Sequence, residues 1–331
     1  MLEMTRKTLT SLLVPLWCAA IVTAPGAALG ADAKGVQITR QDDRLRIEIN
    51  GELFGEYHFK GGSRPYLYPI LGPGGLPMTR DWPMKNSEGE EHDHPHHQSL
   101  WFEHGEMNGV DFWSESPKAG KTVHVEFVEI RSGPDEGVIR TKNNYVAPDG
   151  KVVCTDDRTL RIFDRKDERL FDFEVTVHAS RGALLLGDTK EGTMAIRLNE
   201  TMRLAPNKFN RDKPTGHIVN SEGLRDSETW GKRARWVDYS GMVNGQLVGV
   251  AMFDHPGNPR HPTWWHVRDY GLFAANPFGL HEFEKSEPGK GDLTVPEGGS
   301  ITFRYRFYIH RGDEKSARVA ERYQEYTAKP K

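Results

Sequence analysis

Alternation of apolar and polar residues, repeated in segment after segment, is the feature that most limits what this chain can fold into. Phe171, Phe173, Val175 and Val177 alternate with Asp172, Glu174, Thr176 and His178. Ile301, Phe303, Tyr305, Phe307 and Ile309 alternate with Thr302, Arg304, Arg306, Tyr308 and His310, and Val123, Val125 and Phe127 with His124, Glu126 and Val128. Successive side chains of a strand point to opposite faces, so period two places one set against a core and the other toward water or a groove. Leu45 to Ile49, Gly137 to Tyr145, Val152 to Phe163 and Leu247 to Phe253 are further strand candidates, bounded by turn residues. The one clear helical pattern is Glu314 to Thr327, where Ala317, Ala320 and Tyr323 share a face. Many strands and one terminal helix predict an all-β fold, an antiparallel β-sandwich with a C-terminal helix, rather than a βαβ architecture.

The N-terminus reads differently. Arg6 and Lys7 precede a mostly apolar stretch from Ser11 to Thr23, followed by a run rich in small residues up to Ala31. That is the pattern of a secretory signal peptide over 1–31, which predicts a periplasmic or secreted protein. The apolar stretch is short of the ~20 residues a spanning helix needs, so no stable membrane span is expected after signal removal. Cleavage would take Cys18 and leave Cys154 alone, without an intrachain disulfide partner. No repeat or composition break divides the remainder, so 32–331 reads as one domain. The charge, 44 basic against 47 acidic residues, is near neutral and has no basic stripe suited to nucleic acid.

Four polar segments carry candidate chemistry. Glu91 to His104 holds five of the fourteen histidines and runs into Leu100-Trp101-Phe102. Histidine titrates near neutrality and is also the commonest metal ligand. As a strand, this segment would put Ser99, Trp101 and Glu103 on one face and Leu100, Phe102 and His104 on the other. Asn108-Gly109 then reads as a turn that reverses it. Gly187 to Gly192 brackets Asp188, Lys190 and Glu191 between glycines ahead of Arg197, whose planar fork suits carboxylate or hydroxyl groups. Asp254 to Tyr270 adds His255, His261, His266, Arg268 and paired tryptophans, with Trp264, His266 and Arg268 on one face. Asn276 to Phe283 places His281 beside Glu282. Aromatic faces with a few oriented polar groups are typical of carbohydrate sites.

His94, His96 and His97 are a weaker metal signal. Pro95 constrains them, and neither a His-Glu-x-x-His helix motif nor a Cys-x-x-Cys pair is present. A mixed His/carboxylate site for zinc, iron or copper stays open, so any metal or cofactor is unknown at this level. No G-x-S-x-G elbow, P-loop or G-x-G-x-x-G follows a strand.

Longer motifs add a family resemblance. Arg64-Pro65-Tyr66-Leu67-Tyr68-Pro69, His94-Pro95-His96-His97-Gln98-Ser99-Leu100-Trp101-Phe102, Asp188-Thr189-Lys190-Glu191-Gly192, Trp265-His266-Val267-Arg268-Asp269-Tyr270-Gly271 and Ala275-Asn276-Pro277-Phe278-Gly279 carry it. They resemble a bacterial family labelled methane oxygenase PmoA, across nearly all of the chain after the leader. Its members are similar in character to galactose-mutarotase-like β-supersandwiches, which bind sugars with loop His, Asp and Glu residues. The resemblance implies a fold and no established reaction.

The resulting expectation is an exported enzyme on a sugar derivative, an epimerase, lyase or hydrolase working by His/Glu proton transfer. His97, His104 and His266 are the expected acids and bases, Glu191 the base or orienting carboxylate, and Lys190 a stabiliser of negative charge. Arg197, His255, Trp264, Arg268, Asn276 and His281 are expected to bind a small-molecule or oligosaccharide substrate. The alternatives are a non-catalytic carbohydrate-binding protein, or the metal-dependent oxygenase that the family label implies.

Overall fold

The structure, a computed structural model, describes residues 34–209 and 214–328; the leader read over 1–31 lies outside the described residues. Two eight-stranded antiparallel sheets make the fold. The first runs in spatial order Val36–Arg40, Arg44–Ile49, Glu52–His58, Tyr66–Ile70, Leu100–His104, Gly192–Arg197, Leu272–Asn276 and Trp264–Val267. The second runs His217–Asn220, Trp236–Val243, Gln246–Asp254, Ser300–Arg311, Arg169–His178, Val152–Phe163, Glu136–Val146 and Lys121–Arg131. A small ribbon pairs Leu184–Leu186 with Leu293–Val295.

Period-two alternation builds the core. Along Arg169–His178 every second residue is buried, and Phe171, Phe173, Val175 and Val177 join one continuous apolar cluster. Phe54 of the first sheet meets Phe171 of the second at 5.5 Å, and Phe102 meets Phe303 at 5.4 Å. These contacts stack the sheets as the expected antiparallel sandwich. Asn108 and Gly109 both take positive φ, 49° and 78°, and Met107 and Val110 exchange backbone hydrogen bonds. That is the predicted two-residue turn.

Two expectations need correction. Val123 and Val125 do not face the core: they are 47% and 54% exposed. Their strand lies at the sheet edge, and two register shifts, at His124/Glu126 and Phe127/Glu129, break the alternation. The terminal helix spans Val319–Thr327, not Glu314 onward. Ser316 binds back to Asp313 in a turn, and Arg318 sits at φ 56°, so helical geometry begins only after it.

The second sheet also buries charge. Arg158 donates to Asp156 Oδ2 at 2.8 Å, to the Tyr145 hydroxyl at 3.2 Å and to Glu103 Oε1 at 3.5 Å, with all four residues 1% exposed or less. Buried charges are tolerable only when paired. Replacing Arg158 by alanine is therefore expected to lower the unfolding free energy by about 3–5 kcal/mol. Val125→Ala on the exposed edge should change it by no more than about 0.5 kcal/mol. Urea denaturation of both variants measures the contrast; equal effects would contradict this account of the pair.

Candidate functional site

The site sits on the face of the first sheet turned away from the second. Leu100 and Phe102, Met194 and Ile196, Phe273 and Ala275, and Trp265 and Val267 point into the shared core. The alternate residues form a row across four strands: Trp101 lies opposite Ala195, Ala195 opposite Ala274, and Ala274 opposite His266. Two alanines in the middle of that row leave space that larger side chains would fill. Trp101, Trp113, Ala195, Leu272 and Ala274 pack as a separate apolar cluster there. Above it lies a cavity of about 660 Å³, lined by His94, His96, His97, Gly105, Asp111, Trp113, Ser114, Lys190, Glu191, His266, Arg268, Tyr270 and Leu272.

One wall is the histidine loop. Four rings stack in a column, Tyr270 on His94 at 5.1 Å, His94 on His97 at 4.7 Å, and His97 on Trp101 at 5.3 Å. His94 and Ser99 hold φ values of 43° and 58°, a left-handed geometry that costs a non-glycine residue about 1–2 kcal/mol. Buried arginines offset that cost. Arg80, fully buried, pairs with the Asp93 carboxylate and donates to the backbone carbonyls of Glu91, Asp93 and His94. Arg197, also fully buried, reaches Asp93 at 3.2 Å and Glu200 at 3.4 Å. Burial alone would raise the Asp93 carboxyl, but His94, Arg197 and Arg80 outweigh it and hold it well below the usual range.

The facing wall comes from the Asp188–Glu191 loop and the end of strand Trp264–Val267. Gly105 donates its N–H to the Glu191 carbonyl at 2.6 Å, and a Cβ there would meet Glu191 Cβ at 2.8 Å, so only glycine allows this approach. Lys190 Nζ lies 3.2 Å from the Glu191 carboxylate. Asn276 donates to the Thr189 carbonyl at 2.8 Å, and Asp188 accepts from the backbone N–H of His281 at 2.9 Å.

The two buried histidines of the cavity are held in opposite tautomers. A guanidinium can only donate, so Arg197 Nη1, 3.1 Å from His97 Nδ1, leaves that nitrogen bare and the His97 proton on Nε2. A carbonyl can only accept, so the Lys190 oxygen, 2.8 Å from His266 Nδ1, puts the His266 proton on Nδ1 and leaves Nε2 as a lone pair. Burial, reinforced by Arg197, drives the His97 imidazole far below its ordinary value. Burial lowers His266 to about 4 against the pull of the Lys190 carbonyl. Near neutral pH this pair thus gives the cavity one imidazole N–H donor, from His97, and one imidazole acceptor, from His266.

Of the residues expected from sequence, His97, Lys190, Glu191, His266 and Arg268 line this cavity together. The others do not. His104 lies on the core side of its strand, as the alternation with Trp101 requires; its Nε2 meets the Gly187 carbonyl at 2.9 Å and its ring packs on Phe278. Arg197 lies beneath the cavity with its guanidinium committed to His97, Asp93 and Glu200. Asn276 and His281 brace the loop; the His281 ring is tied to the Ser286 carbonyl at 2.6 Å. Trp264 is near the far end of its strand, donating to Glu284 at 2.7 Å beneath Arg233. His255 packs beside Tyr326 of the terminal helix. Sequence reasoning missed Asp111, Trp113 and Tyr270 as lining residues. The Asn108-Gly109 turn was the available signal for Trp113, because it folds that ring back onto Trp101 at 5.2 Å. Among the described residues no group of three or more His, Cys, Asp or Glu is placed to hold a metal ion. Face-to-face stacking of His94 and His97, 10° between planes, points their nitrogens along parallel planes rather than at one centre.

Buried neutral histidines also set the acid stability. His96, His104 and His266 each fall to about 4, in every case chiefly through burial. The unfolded chain binds these protons at about 6.5 and the folded one only near 4, so protons favour unfolding throughout that window. These three histidines should weaken the fold between pH ~6.5 and ~4, by at most ~3 kcal/mol each, while Glu103, raised to about 7 chiefly by burial, opposes that loss because the folded state holds its proton more tightly. Asp93, depressed in the folded state, adds stability that is lost only below that window. Denaturant titrations of the unmodified chain and of His104→Gln across this range isolate one histidine's share; identical pH slopes for the two would contradict the burial argument.

Residues 44–324 match the model of DUF6807, a family of unknown function. No curated protein matches the sequence. Among solved structures, an alpha-galactosidase from Lactobacillus brevis is similar at 10% identity over 84% of this chain and 39% of its own, with a TM-score of 0.33. A glycoside hydrolase family 97 enzyme from a Pseudoalteromonas strain, in complex with panose, is similar at 10% identity over 86% of this chain and 35% of its own, with a TM-score of 0.34. A galactose mutarotase related enzyme from Lactobacillus acidophilus is similar at 9% identity over 83% of this chain and 97% of its own, with a TM-score of 0.32. The chain thus spans well under half the length of the galactosidase and the glycoside hydrolase. The family match corrects the resemblance to methane oxygenase PmoA, because the matching family is DUF6807 and nothing indicates a methane oxygenase family, which removes the label on which the oxygenase alternative rested. The chain belongs to DUF6807, a family of unknown function.

Proposed function

We propose that this chain is an exported carbohydrate-active enzyme whose chemistry is proton transfer between a sugar derivative and His266, assisted by His97. The observation that carries this reading is the opposed pair of tautomers on one cavity, fixed by Arg197 on one side and the Lys190 carbonyl on the other. His266 Nε2 is a lone pair able to take a substrate proton, with a basicity similar to that of a carboxylate. His97 Nε2–H is a neutral donor suited to an oxygen on which negative charge develops. Lys190 adds positive charge at the rim and Glu191 holds it there. Trp113 and Tyr270 give the cavity the apolar faces that sugar rings pack against, and the polar groups around them orient hydroxyls.

The test is turnover of a panel of oligosaccharides and oxidised sugars by the mature chain and by His97→Asn and His266→Asn. Each substitution is expected to lower kcat by about 10²–10⁴-fold, with substrate affinity and circular dichroism nearly unchanged. With His266 titrating near 4, kcat/KM should be flat from pH ~8 to ~5, without an inflection near 6.5. Full activity in both variants would remove the assignment. Saccharide binding with no turnover by the unmodified chain would instead make this a carbohydrate-binding protein.

A further inference from the structure

Arg268 is the charged group of the cavity that the fold leaves unanswered. Asp111 is occupied: its carboxylate accepts from the backbone of Trp113 at 2.8 Å and of Ser114 at 3.0 Å, and from the Ser114 hydroxyl. Lys190 and Glu191 answer each other at 3.2 Å. Among the described residues no carboxylate pairs with the Arg268 guanidinium, which instead lies between two rings, 5.9 Å from Trp230 and 5.4 Å from Tyr270. Contacts with two rings favour the cation without using its N–H groups, which have no carboxylate partner among the described residues. A planar, partly desolvated guanidinium on a cavity wall is matched best by a carboxylate, which it can bind through two parallel hydrogen bonds.

Two smaller hollows each share one lining residue with the cavity. Arg268 also lines one of about 230 Å³ with Trp230 and Asp269. Ser114 also lines another of about 370 Å³ with Gln98, Glu115 and Lys121.

We infer that the substrate is an oligosaccharide containing a uronic acid, whose carboxylate binds Arg268 while its ring lies in the histidine cavity. This rests on the reading given under Proposed function and names its substrate class. Arg268 lies two positions beyond His266 along the chain, and both line the same cavity. A carboxylate held by a cation makes the hydrogen on the adjacent carbon more acidic, because the guanidinium stabilises the charge that spreads onto the carboxylate oxygens. His266 Nε2 takes that proton, and the C–H electron pair is left on the carbon and delocalised into the carboxylate. Those electrons then form a C=C bond as the neighbouring C–O bond breaks, the departing oxygen takes a proton from water, and protonated His266 returns its proton to the hydroxide so formed. Elimination of this kind needs no oxidant or reductant.

The experiment is calorimetric titration of the mature chain with tetramers of galacturonate, glucuronate and mannuronate, and with cellotetraose and maltotetraose as neutral probes. Arg268→Gln and Arg268→Lys are titrated alongside. At least one uronate tetramer is expected to bind tenfold or more tighter than either neutral tetramer. Arg268→Gln should lose that preference by about 10–100-fold, the range for a hydrogen bond to a charged group, and Arg268→Lys should restore only part of it. Neutral tetramers binding as tightly as every uronate, or a preference unchanged in Arg268→Gln, would overturn the inference and leave the carbohydrate reading standing. No binding of any tetramer, charged or neutral, would overturn the carbohydrate reading and this inference with it.

Discussion

The pairing of Arg80 and Arg197 with Asp93 is the interaction on which the site depends. Both arginines are fully buried, and they share two anions, Asp93 on the loop and Glu200. Charges taken out of water persist only with good partners, so the loop that carries Asp93 has little choice of position. Fixing Asp93 fixes His94 beside it, and His94 in turn stacks between Tyr270 and His97. Arg197 then serves twice, as a partner of Asp93 and as the donor that selects the His97 tautomer. A loop of six residues, His94 to Ser99, with a left-handed backbone position at each end becomes a defined wall through side chains contributed from elsewhere in the chain.

The sheet supplies the other constraint. Four neighbouring strands present Trp101, Ala195, Ala274 and His266 in a row, and the small central pair makes the hollow. The face behind the row is filled by Phe102, Met194, Phe273 and their neighbours, so the floor rests on the main core. His266 enters from the last strand of that row and is held by a backbone carbonyl of the Lys190 loop. Stability and chemistry meet here: the burial that makes the histidines weak bases also makes the fold sensitive to acid.

Much of this was legible in the sequence, for identifiable reasons. Strands such as Val152–Phe163 were readable because a half-buried strand must alternate, and the edge strand Lys121–Arg131 was misread because its bulges and open flank release that requirement. His97, Lys190, Glu191, His266 and Arg268 stood out because clusters of titratable groups on loops and strand ends are where sites form. His104 failed on the same alternation that placed Trp101 correctly: three positions along, it faces inward. Asn276 and His281 were recognisable as polar residues in an unusual loop, but only the fold shows that they brace Asp188–Glu191. The pairing of Arg80 and Arg197 with Asp93 left no local pattern, since its members are brought together by the fold and not by spacing.

The central claim is that His97 and His266 present a proton and a lone pair, respectively, to one cavity. Long-range proton–nitrogen correlation spectra of the imidazole rings, recorded near pH ~7 on nitrogen-labelled protein, read tautomers directly. The account predicts His97 protonated on Nε2 with a bare Nδ1, and His266 protonated on Nδ1 with a bare Nε2. The same tautomer on both rings, or a doubly protonated ring at either position, would contradict it.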